Sequence, residues 1–128
     1  MKKISMLAEL VLGATFVFGG INGLLIPFGL EAIIPVNPQS RFAMVLSQTD
    51  YIFVVQKVVE LAAGICLLTK RFRFAALLAL TPVVICIVIY HVFDDVANLH
   101  IGVMVLLCYL LALGNHAHQL KQIWIDRA

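Results

Sequence analysis

The chain has 128 residues, 62% of them hydrophobic and only 12% charged, with a mean hydropathy of +1.04. Water-soluble domains carry about 25% charged residues, so this chain lacks the polar surface to cover a soluble globule, and it is too aliphatic for disorder. A formal net charge of +2 gives no case for nucleic acid, and what remains is an all-α integral membrane protein of one domain.

A spanning helix needs about 20 apolar residues. Four such helices with short connections nearly exhaust the chain, so any function must sit inside the helices or on short loops. The first span is predicted over about 4–28. Lys2 and Lys3 precede it, as in a secretory signal. The apolar run is longer than a signal core and no clear small-x-small site follows, so an uncleaved helix is expected. Gly19 and Gly23 form a G-x-x-x-G, joined by Gly13 and Gly20, and small residues of this kind let helices approach closely. Packing within the chain is the default expectation, with a homo-oligomer as the alternative.

Residues 29–50 read as an interfacial loop. Pro35 and Pro38 punctuate it, and Glu31, Asn37, Gln39, Ser40 and Arg41 are polar. A short helix at about 38–46 is predicted there, on the membrane surface or capping the bundle. The later spans are predicted over about 51–69, 74–93 and 99–113. Pro82 lies inside the third, where a proline is tolerated if neighbours satisfy the freed carbonyl. The tail, 115–128, has Leu120, Ile123 and Trp124 at helical spacing, a pattern that suits an amphipathic end in the interface.

Basic residues set the expected orientation. Lys2, Lys3, Lys70, Arg71, Arg73, Lys121 and Arg127 all fall on one side of a four-span chain, and the other side has Arg41 alone among loop cations. The positive-inside rule then places both termini in the cytoplasm.

Ionisable residues within spans are costly and usually face the protein interior. Lys57 and Glu60 are three apart, Gln56 and Glu60 four apart, so all three share one face of the second helix. In this topology Asn22, Gln56, Lys57, Glu60, His91, Asp94 and His100 fall in the outer half of the bundle. They are the candidate ligand-binding or proton-relay residues, expected to converge on one polar pocket. The plainer alternative is that Lys57 and Glu60 neutralise each other while helices pack, and that His91, Asp94 and Asp95 only cap and wet a turn. His91, Asp94 or Asp95 and His100 have metal-ligand chemistry but match no strong spacing, so no metal is assigned. Glu9 is expected to pair with Lys70, Arg71 or Arg73. Cys66, Cys86 and Cys108 form no C-x-x-C and are read as small apolar core residues, which argues against disulfide chemistry. His91 and His100 at one end, with His116 and His118 past the other, give no paired haem ligands.

The chain resembles the DoxX-like group of small four-helix membrane proteins. The likeness lies in Gly13, Phe16, Gly19 and the run Gly-Ile-Asn-Gly-Leu-Leu-Ile-Pro at 20–27. It continues in Gln-Lys-Val-Val-Glu-Leu-Ala-Ala-Gly at 56–64, close to that family's K-x-x-E-x-x-x-G, and from Ala75 through Pro82 to His91. Lys57, Glu60, Gly64 and His91 match the family's polar pattern, with no catalytic assignment attached. The resemblance implies a four-helix bundle in a bacterial plasma membrane. Some members serve membrane oxidoreductases, including thiosulfate–quinone systems. This chain has no flavin or nucleotide motif and no iron–sulfur cysteine set. The expected role is therefore an accessory subunit that binds a quinone or other small amphiphile beside a redox-enzyme partner, rather than a complete enzyme. A small solute or proton transporter and a non-catalytic scaffold are the alternatives.

Overall fold

The computed structural model describes residues 2–35 and 39–127. Within them the order is α1 (Lys2–Leu24), α2 (Arg41–Gln48), α3 (Asp50–Leu68), α4 (Arg73–Phe93), a single 3₁₀ turn (Val96–Asn98), α5 (Leu99–Gly114) and α6 (Ala117–Arg127). Most of the described residues are helical, with no strand among them. Four helices are long and apolar enough to cross a membrane: Lys2–Leu24, Tyr51–Leu68, Arg73–Phe93 and Val96–Gly114. At ~1.5 Å per residue, the 23 residues of α1 exceed a ~30 Å hydrocarbon layer.

Three boundaries differ from the sequence reading. The first helix stops at Leu24, not Phe28, and Leu30 N–H closes a turn on the Leu25 carbonyl (2.9 Å). Pro27 sets that stop, because its missing N–H and its effect on the preceding residue disfavour further helix. The short helix runs over 41–48, because Ser40 caps it by accepting from the Ala43 amide at 3.0 Å; its predicted start at Pro38, together with Asn37, lies outside the described residues. The fourth span gains a turn at its front, from Val96.

The core is a small apolar centre shared by the four long helices. Leu12, Phe16, Leu67, Leu77, Leu80, Val84, Val105 and Ala112 are buried there. Elsewhere the sides of the helices are apolar and exposed, with Leu7, Val55, Ile85 and Leu107 among the residues more than half open. Such a surface suits hydrocarbon and would aggregate in water.

Glycines set the spacing of α1 and α3. A Cβ at Gly64 would stand 2.8 Å from the Gly13 carbonyl oxygen and the Val17 amide, and one at Gly20 would stand 2.9 Å from the Leu61 backbone nitrogen. Neither leaves room for a methyl, so the two backbones touch directly. Gly23 serves the same end, its missing Cβ making room for the Lys57 side chain.

Pro82 sits within an unbroken α4. Thr81 Oγ1 donates to the Leu77 carbonyl at 3.0 Å, and Tyr109 of α5 reaches the same carbonyl and the Thr81 hydroxyl. Polar groups thus gather beside the turn where the proline lacks a donor. Between α3 and α4 the turn is tight: Lys70 (φ 60°) and Phe72 (φ 52°) both lie in the left-handed region.

Candidate functional site

At the end of the bundle opposite Lys2, the last turn of α1, the start of α3 and the end of α4 leave a cavity between them. The segment after α1 and helix α2 cover the gap. Two latches hold this cover. Asn22 grips the Ile34 backbone at both ends of its amide, donating from Nδ2 to the carbonyl (3.0 Å) and accepting on Oδ1 from the N–H (2.9 Å). Ser40, 1% exposed, donates to Asp94 Oδ2 at 2.7 Å while capping α2. Asp94 therefore anchors α2 to the end of α4.

The cavity between these elements is partly open, with a volume of about 270 Å³. Ile26, Ile34, Phe42, Leu46, Phe53 and Ile87 supply its apolar walls, and Asn22, Gln56, Lys57 and Tyr90 bring polar groups. Glu60 stands one turn below Gln56 and Lys57 and is 3% exposed. It accepts from Gln56 Nε2 at 3.1 Å and from Lys57 Nζ at 3.3 and 3.4 Å. The Lys57 ammonium also lies 5.4 Å from the centre of the Phe53 ring, within cation–π range. An ammonium has three protons and Glu60 takes at most two, so Lys57 keeps donor capacity at the cavity wall. Gln56 spends an N–H on Glu60, which leaves its amide oxygen as an acceptor there.

The seven predicted residues therefore do not form one cluster. Asn22, Gln56 and Lys57 line the cavity, and Glu60 supports two of them. His91 turns elsewhere. It is buried, donates from Nδ1 to the Ile87 carbonyl at 2.8 Å, and lies against Gly102 of α5, where a Cβ would come within 3.1 Å of its own Cβ. It sits next to Tyr90 but faces a different helix; the rotation of α4, which sequence spacing does not fix, decides this. Asp94 holds α2 and is exposed. His100 is exposed on the far side of α5, beside Val103, Met104 and Leu107. Cys86 also departs from expectation: it is exposed at the cavity wall, not in the core. Among the described residues no group of three or more His, Cys, Asp or Glu could hold a metal ion.

A second polar centre lies at the opposite end, and sequence reasoning caught only part of it. Glu9, 3% exposed, accepts from Arg73 at 3.0 Å and from His116 Nε2 at 2.8 Å. His116 Nδ1 is hydrogen-bonded to the Gln119 side-chain amide at 2.7 Å, and its ring stacks on Phe74 at 5.8 Å. The Arg73 pairing was among the expected ones; His116 and Gln119 were missed. A usable signal existed, because His116 follows the fourth span and so lies level with Glu9, with Gln119 three residues on along the same face.

Compared with protein-family models, with curated proteins and with solved structures, the chain shows no significant match.

Proposed function

We propose that this chain is a multi-pass membrane protein, with both termini in the cytoplasm of a bacterial cell, that binds a small amphiphile in the covered cavity. A quinone is the model ligand. The observation that carries this reading is the cavity itself: apolar walls with the Lys57 ammonium, the Gln56 carboxamide and the Tyr90 phenol among its lining residues. Concave, mostly apolar pockets with a few convergent polar groups are the usual form of small-molecule sites. At about 270 Å³, the space fits a substituted ring with its tail left in the bilayer. Lys57 would donate to a ring oxygen, and Gln56 would accept from the hydroxyl of the reduced form. Glu60 holds both side chains in place. The resemblance to DoxX-like proteins points the same way, toward an accessory subunit beside a membrane oxidoreductase rather than a complete enzyme.

The test is equilibrium binding of a short-chain ubiquinone to the full chain in detergent. Saturable binding at one site is expected, and Lys57→Met weakens it at least about tenfold, the cost of a lost hydrogen bond from a charged donor. Bound quinone also slows maleimide labelling of Cys86. Unsaturable uptake, equal in wild type and Lys57→Met, refutes the reading.

A further inference from the structure

The end of the bundle that carries both termini holds a recess outside the amphiphile cavity. Its lining includes Lys70, Arg73, Asn115, His116 and Gln119, with the first turn of α4 at its wall. An adjoining recess adds Lys2 to Lys70, Arg73 and Asn115. Among the described residues no acidic side chain lines either one. The carboxylate of this region, Glu9, is buried behind them and engaged by Arg73 and His116. Lys70 is exposed and makes no ion pair among the described residues.

Two features mark a missing acceptor. The Asn115 Nδ2 atom is buried and has no hydrogen-bond partner. A buried donor without an acceptor is costly, and Asn115 stands in the lining of both recesses with this bond unmade. Helix α4 begins in the same recess with no side chain capping it: Phe72, at its N-cap, is left-handed and makes no capping bond. The first-turn amides of a helix lack intrahelical acceptors and favour anions.

We propose that this recess binds a phosphate group, with Lys70 as its unpaired counter-charge, Arg73, already paired with Glu9, and the Asn115 amide as further donors, and the open start of α4 as the cradle. In the membrane reading, the phosphate belongs to an anionic lipid of the adjacent leaflet or is free in solution, and both offer the same acceptor oxygens. Basic pockets between transmembrane helices hold lipid headgroups on this principle.

Native mass spectrometry of the full chain, released from micelles doped with phosphatidylglycerol or phosphatidylcholine, tests this. One retained phosphatidylglycerol per chain is expected, in preference to phosphatidylcholine. Lys70→Gln and Asn115→Leu each lower retention at least about tenfold. Arg71→Gln, an exposed neighbour outside the lining, leaves it unchanged. Displacement of the lipid by inorganic phosphate identifies the bare anion as sufficient; retention against phosphate identifies the headgroup as the occupant. Circular dichroism melts monitor folding, and if Asn115→Leu does not fold, Lys70→Gln on the exposed turn decides alone. Equal loss in Lys70→Gln and Arg71→Gln, or no preference for phosphatidylglycerol, overturns the site.

Discussion

Single residues show how the chain handles charge in an apolar setting. Lys57 and Glu60 neutralise each other on one face of α3, and Gln56 takes another bond to the carboxylate. Buried pairs of this kind often contribute little net stability, yet removing one partner strands the other. Glu60→Leu alone should therefore destabilise by roughly 3–5 kcal/mol, and Lys57→Met combined with Glu60→Leu should recover much of it. Denaturant titration of the two variants against wild type checks this. Failure of the double variant to recover would mean that the charges do more than cancel. The pair was legible because i,i+3 and i,i+4 spacings fix a helix face regardless of tertiary context. His91 and His100 were not, because spacing along one helix says nothing about which neighbour that face meets.

At the scale of the helix pair, α1 and α3 are held by the absence of side chains. Gly13 and Gly64 face each other, and Gly20 meets Leu61. A methyl at Gly64 would stand 2.8 Å from backbone atoms, which no rotamer change relieves. Gly64→Ala should cost about 1–3 kcal/mol, as overpacking does elsewhere, lowering the melting temperature of the detergent-purified chain. An unchanged melt would show that the helices separate freely. The sequence announced small residues on α1 through Gly13, Gly19, Gly20 and Gly23. It did not announce that Gly64 is their counterpart, since register between helices depends on how the whole bundle settles. Helix boundaries erred in the same way. Pro27 and Ser40 are punctuation visible in the sequence, but whether a helix stops before or after such a residue turns on a single capping hydrogen bond.

The whole molecule is sorted by polarity along its long axis. The end with Lys2, Lys70, Arg73 and His116 gathers cationic donors around one buried carboxylate. The other end carries Asp94, Asp95 and the covered cavity. Four helices are long and apolar enough to cross a membrane, and the proposed four-span arrangement puts both termini on one side. In a chain whose native cysteines are replaced by Ala, Lys3→Cys and Gln122→Cys should be labelled by an impermeant maleimide from the same face of inside-out vesicles, and Phe28→Cys from the opposite face. Labelling of Lys3→Cys and Gln122→Cys from different faces would reject the four-span arrangement. The four long apolar helices were the most legible feature in the sequence, because hydropathy needs no knowledge of side-chain packing.

The short connection between α3 and α4 holds two of its residues in a costly backbone form. Left-handed backbone costs an ordinary L-residue about 1–2 kcal/mol and glycine nothing. Yet two such positions, Lys70 and Phe72, are filled by a long cation and a large ring, the latter 78% exposed. Glycine would make this corner easier to fold and would leave it bare. A chain that holds bulky groups in an awkward posture at its rim gives up conformational ease for outward reach.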